Sequence, residues 1–322
     1  MSVRSPRRPL AALAGGLALL AAAACGSAST GASGGSFASA PGDRPRVLAA
    51  FYPLEWVSRR VGGADVELAT LTSPGVEPHD LELTPRQIAD IEQADLIVYL
   101  KGVQPAVDEA VAEHAADRSF DVAAAVTTLP ATGADPHGEE EGHEGEEAHE
   151  EVGYDPHLWL DPSRFATVAT KLGERLAQAD APHAAGFRSR AAAAAAELNA
   201  VDKELSDGLR TCASRTIVTS HAAFGYLADR YRLKQVGISG IDPESEPSPA
   251  RLAEVAKVAK QEKVTTIFTE ELVNPKVAEV LATEVGAKTA VLNPIESRPA
   301  TGDYLSATRD NLAHLRTALG CT

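Results

Sequence analysis

The sequence predicts an α/β protein of two lobes, each a parallel sheet flanked by helices, joined by one long connecting helix. Three observations predict it. Short β-branched and aliphatic runs alternate with longer stretches of helical spacing, that alternation occurs twice, and between the two series the residues from Pro182 to about Arg210 keep one unbroken helical pattern. A chain of 322 residues, 44% of them hydrophobic, has enough apolar material for two such lobes.

Residues 1–24 place Arg4, Arg7 and Arg8 ahead of the apolar run LAALAGGLALLAAAA, the order of a secretory signal peptide. The run falls short of the roughly 20 apolar residues a spanning helix requires, so export followed by cleavage is expected. Cys25 follows Ala22-Ala23-Ala24 and resembles the lipobox cysteine of bacterial lipoproteins, although Ala22 stands where that pattern usually has Leu. Lipidation at Cys25 is therefore expected, with ordinary cleavage nearby as the alternative. Residues 25–45, rich in Gly, Ser and Ala, read as a flexible tether.

The first lobe is expected over residues 46–181. VLAAFY (47–52), VELATLT (66–72), LIVYL (96–100) and SFDVAAAV (119–126) read as strands. Residues 84–94 read as a helix, with Thr84 as N-cap, Pro85 at the first helical position, and Ile88 and Ile91 on one face. Residues 162–178 also have helical spacing. Within this lobe the segment 131–153 is almost devoid of apolar residues and interleaves His137, His143 and His149 with Glu and Gly, so no packed structure is expected there.

The connecting helix, 182–211, keeps one buried stripe through Leu198, Val201, Leu205 and Leu209. The second lobe, 212–322, repeats the alternation. Its strands are RTIVTS (215–220), LKQVGIS (233–239), VTTIFTE (264–270) and TAVLNPI (289–295), and its helices lie at 222–231, 248–262, 274–286 and 303–319. Ser248-Pro249 and Asn274-Pro275 both read as a cap followed by proline.

Thirty basic against 45 acidic residues leave a formal charge of −15, which becomes −18 without the three signal arginines. Ten of the acids lie between Asp135 and Asp155, and no basic stripe is present, so cations rather than nucleic acid are the expected partners.

Three histidines fall where this layout places the C-terminal ends of strands, the ligand-binding edge of an open α/β sheet. They are His79 in GVEPHDLELTP, His157 in YDPHLWLDP and His221 directly after TIVTS. Pro78 and Pro156 stiffen the approach to the first two. Imidazole is the commonest metal ligand among side chains, and three of them with one carboxylate make a closed tetrahedral zinc site. Glu270, ending VTTIFTE, and Glu296, in LNPIES, compete for the fourth place. Glu270 can instead orient a histidine from behind.

These strings, GVEPHDLELTP, DPHLWLDP, TSHAAFGYLA, the Glu of IFTEE and LNPIES, in this order and spacing, resemble the metal-binding solute-binding proteins of ABC importers for zinc and manganese. The resemblance covers about 46–320. It implies His79, His157, His221 and Glu296 as the ligands, zinc as the ion, and an ABC importer permease as the partner of a protein anchored to the outer face of the cell membrane. Manganese members use carboxylates for the third and fourth ligands, so His221 favours zinc over a manganese-binding homologue. The His-rich segment resembles the loop of zinc members, and its three histidines read either as a weak accessory metal site or as solvated charge. Cys212 and Cys321 are expected to pair, because an exported chain sits where a disulfide persists and family members with a disulfide in the second lobe offer an analogy.

An enzyme is not expected: the four ligands leave no open position, and no HExxH string is present. A surface adhesin using zinc structurally is the other alternative. The expected state is a monomer.

Overall fold

The computed structural model describes residues 37, 44–131 and 152–322. Cys25, His137, His143 and His149 lie outside these residues, as do the signal segment and most of the tether.

The first sheet is built from β1 (Arg46–Ala49), β2 (Glu67–Thr70), β3 (Leu96–Tyr99) and β4 (Ser119–Asp121), in the order β2-β1-β3-β4 and parallel throughout. The second contains β5 (Thr216–Thr219), β6 (Lys234–Gly237), β7 (Thr266–Thr269) and β8 (Lys288–Val291), in the order β6-β5-β7-β8 and again parallel. The two lobes therefore share one topology, with the crossover reversing beside the first strand of each sheet. Ligands of open α/β sheets bind at that reversal, beyond the carboxyl ends of the strands.

Two helices of the first lobe were not anticipated. Helix α1 (Tyr52–Gly62) takes up the end of what reads as a strand, because AAFY is one apolar run that periodicity cannot divide. Pro53 starts the helix, Glu55 sits in its first turn, Arg59 and Arg60 in its last, and Gly63 at φ 60° stops it. Helix α3 (Pro105–His114) opens on Pro105. Between them, α2 (Pro85–Gln93) has the expected Thr84 cap, completed as a capping box by Gln87. The expected strand 119–126 is shorter: Asp121 accepts the amide of Ala123 and turns Val122–Ala125 into a 3-10 helix.

Helix α4 (Pro162–Ala179), capped by Asp161, leads through a 3-10 turn at Ala181–His183 into α5 (Ala184–Gly208), the connecting helix. At 25 residues α5 is roughly 38 Å long. Its stripe is buried as expected, with Leu198, Val201 and Leu205 at 0% exposure and Leu209 at 1%.

The second lobe adds α6 (Gly225–Tyr231), α7 (Pro249–Gln261), α8 (Lys276–Val285) and α9 (Tyr304–Leu319). Helix α6 starts three residues later than expected, leaving His221 in a turn. Helix α8 starts after Pro275, yet Asn274 Oδ1 still accepts the amide of Lys276 at 3.0 Å. The disulfide Cys212–Cys321 joins the segment just after the connecting helix to the second residue beyond α9 and closes a loop with a sequence separation of 109.

The larger hydrophobic core runs through both lobes, and a smaller one around Val218, Ile267 and Leu281 lies within the second. Tyr304 at the start of α9 packs on Trp56 of α1 and Phe165 of α4, with ring centroids 5.0 and 5.1 Å away, and its hydroxyl donates to the carbonyl of Trp159. The indole of Trp159 donates in turn to the carbonyl of Pro294 at 2.7 Å. Such ties favour small relative motions of the lobes over wide opening. Among the described residues no helix is long and apolar enough to cross a membrane.

Candidate metal centre

His79 lies in the loop between β2 and α2, His221 two residues beyond β5, and Glu296 in the loop after β8. His157 departs from expectation, since it follows no strand. The chain re-enters through a single bridge between Pro130 and Tyr154, and His157 caps the 3-10 helix Leu158–Leu160. Loops from both lobes thus deliver one side chain each to a common point.

At that point the candidate ligand atoms of His79, His157, His221 and Glu296 all lie within 4.8 Å of one another. Glu296 Oε1 is 3.6 Å from His79 Nε2, 3.6 Å from His157 Nε2 and 3.7 Å from His221 Nε2, and the last two nitrogens are 3.4 Å apart. Donor atoms at about 2.0–2.1 Å from a tetrahedral ion stand roughly 3.3–3.4 Å apart, close to this arrangement. His157 and His221 are fully buried and Glu296 is 1% exposed.

The hydrogen bonds behind the rings decide their tautomers. His157 Nδ1 meets Asp155 Oδ1 at 2.8 Å, and His221 Nδ1 meets Glu270 Oε2 at 2.7 Å. A carboxylate only accepts, so each Nδ1 carries a proton and each Nε2 turns inward. Glu270, one of the two competing carboxylates, thus stands behind His221, and Glu296 takes the inward place. Buried Nε2 of His79 and Oε1 of Glu296 have no hydrogen-bond partner. A cluster of acceptors with no donor at its centre requires positive charge there, supplied by a proton or a metal cation. Three nitrogens and one oxygen gathered within 4.8 Å suit zinc better than manganese, which favours more oxygen ligands.

Electrostatics supply that charge. Burial pulls the pKa of His157 below its ordinary value, against the opposing carboxylate of Asp155. Burial acts on His221 too, but Glu270, Glu296 and Glu77 outweigh it and raise its pKa to about 9. Burial alone would raise Glu296, yet the imidazoles of His79, His221 and His157 hold it below the usual carboxylate range. Glu77 rises to about 7, chiefly through burial and then through repulsion from Glu296. In the metal-free protein these carboxylates favour a proton on His221, which places positive charge at the centre.

Asp155, Glu77 and Gly225 escaped the sequence reading, although the first two share a legible signal. Both precede a histidine as acid-Pro-His, in Glu77-Pro78-His79 and Asp155-Pro156-His157. In each, the acid accepts the amide of that histidine, at 3.2 and 2.9 Å. Gly225 left no signal, because its role is the space beside it: a Cβ there would stand 2.3 Å from Asp155 Oδ2.

Comparison with known proteins agrees with this geometry. Residues 47–318 match the family described as zinc-uptake complex component A, periplasmic. The zinc-binding lipoprotein AdcA of Streptococcus pneumoniae is 36% identical over 283 residues, which is 84% of this chain and 55% of that protein. The chain thus spans about half the length of the streptococcal relatives. The high-affinity zinc uptake system protein ZnuA of Bacillus subtilis is 34% identical over 309 residues, 93% of this chain and 94% of that one. Among solved structures, a Zn(II)-bound variant of AdcAII from Streptococcus pneumoniae superposes with a TM-score of 0.75 at 29% identity, covering 87% of this chain and all of that one. With the match extending from β1 into α9 and three imidazoles and a carboxylate converging between its lobes, the chain belongs to the zinc-uptake complex component A family.

Proposed function

We propose that this protein captures zinc outside the cytoplasm, on His79, His157, His221 and Glu296, and hands it to an ABC importer permease. The observation that carries the reading is the convergence of four buried acceptors on one point, two of them with tautomers set from behind by Asp155 and Glu270. A full set of four donors leaves no position for a substrate water, so a carrier is favoured over a zinc hydrolase. The lobes are residues 46–181 and 212–322, with 182–211 between them. Lipidation at Cys25 and the tether would hold a monomer at the outer face of the membrane, and His137, His143 and His149 would form an accessory capture loop.

The test is calorimetric titration of the metal-stripped mature protein with zinc. One tight site is expected, with unchanged far-ultraviolet circular dichroism after chelation. Unfolding on chelation would instead indicate a structural zinc, as in the adhesin reading. At pH 8, below the raised pKa of His221, binding should displace about one proton. This is measured as a dependence of apparent enthalpy on buffer ionisation enthalpy. Proton release should fade above pH 9 and affinity should fall as the pH is lowered, because protonated imidazole does not ligate. Deletion of 135–151 should leave the tight site intact.

The residues behind the ligands give a further expectation. Gly225→Ala would push Asp155 away from His157 and release the ring from its productive orientation. Zinc affinity should fall by about 10–100-fold, as expected for loss of an orienting partner, and Asp155→Asn should fall within the same range. Wild-type affinity in both variants would remove Asp155 from any orienting role.

A further inference from the structure

Glu296 is aimed differently from the imidazoles of His157 and His221. Its Oε1 has no hydrogen-bond partner, and the backbone on either side of it is tied in place. Upstream, Ile295 adopts φ 61°, a left-handed conformation that a β-branched residue keeps only where its surroundings impose it. Its amide donates to Asn293 Oδ1 at 2.6 Å, and Asn293 is clamped to Asn311 of α9 by bonds of 2.9 and 2.6 Å. These ties stay within the second lobe.

Downstream, the ties cross the cleft. The amide of Gly75, in the loop that carries His79, donates to Ser297 Oγ at 2.7 Å. The next residue, Arg298, pairs its guanidinium with Glu55 of α1 and lies 5.5 Å over the ring of Tyr52. Glu55 is 8% exposed and Arg298 46%, and the pair lines a small cleft together with Ser73, Ser297 and Glu296.

We propose that the Arg298–Glu55 ion pair, with the Ser297–Gly75 bond beside it, is a latch between the lobes that holds Glu296 on the bound ion and sets the rate of zinc release. Arg298 is thus a positioning residue. The inference rests on the zinc-binding reading above, and the sign of the effect separates a latch from simple electrostatics. Arg298 is a cation near a cation site, so removing its charge should by itself tighten zinc binding. Loss of a latch does the opposite.

Arg298→Gln leaves Glu55 partnered by Arg59 at 2.7 Å, so no buried carboxylate is orphaned. Arg59→Gln is the matched control, because it removes a charge from the same carboxylate within α1 without touching the other lobe. The experiment measures zinc release from the full mature protein into an excess chromophoric chelator by stopped flow. Release from Arg298→Gln should be about tenfold faster than wild type, as interface charge pairs act largely on dissociation. Arg298→Lys should restore part of the difference, and Arg59→Gln should match wild type.

Ser297→Ala, which removes only the acceptor for Gly75, should also accelerate release and stands in should Arg298→Gln fail to fold. Wild-type release from Arg298→Gln, slower release, or equal acceleration by Arg59→Gln would each overturn the latch while leaving the zinc site standing. A wild-type protein that binds no zinc would remove both.

Discussion

His157→Ala is expected to lower zinc affinity by on the order of 10²–10³-fold, taking a tight four-ligand zinc site at about 10–16 kcal/mol and sharing it among the ligands. The loss is large because three effects coincide there. One of the four donors is lost, the 3.4 Å pairing with His221 Nε2 that defines an edge of the site disappears, and Asp155, 1% exposed, loses the ring it orients. Competition against a chelator of known affinity measures the loss, with circular dichroism of the metal-free protein as the control for folding. An affinity within threefold of wild type would remove His157 from the site. His221→Ala should behave similarly in affinity and should also abolish the proton released at pH 8, since that proton resides on His221.

Removing the disulfide is the change with the largest expected effect on stability. Cys212→Ser with Cys321→Ser opens a loop with a sequence separation of 109, for which the chain-entropy estimate is about 4–5 kcal/mol. A domain of 150–250 residues shifts its melting midpoint by roughly 2–4 °C per kcal/mol, so a drop of about 10 °C or more is expected by calorimetry. The bridge ties the segment just after the connecting helix to the second residue beyond α9 and is not among the site contacts. Zinc affinity at 25 °C should therefore stay within twofold of wild type. A midpoint lowered by less than about 2 °C would show that this crosslink does not limit unfolding.

The candidate site was legible where local chemistry sufficed. His79, His157 and His221 stand out because proline-stiffened loops and a strand end present them, and Glu296 because the motif around it resembles a known family. The competition between Glu270 and Glu296 could not be resolved from the residues alone, since both follow strands of the same sheet. Three-dimensional distance favours Glu296: Glu270 reaches Nδ1 of His221 from behind, while Glu296 Oε1 lies 3.6–3.7 Å from all three Nε2 atoms.

By itself the sequence determined the alternation of strands and helices, the long connecting helix with its stripe from Leu198 to Leu209, the caps at Thr84 and Ser248, and the histidines that can ligate. These depend on interactions within a few residues of one another, which periodicity and capping chemistry record directly. Only the tertiary structure decided that Asp155 and Glu270 set the imidazole tautomers, that Gly225 must lack a side chain, and that Glu296 is aimed by ties running to Glu55, Gly75 and Asn311. Except for Asp155, which acts two residues away, those relations join residues 18 to 243 positions apart. No local pattern encodes them, because each depends on how two separately folded sheets come together across a shared core.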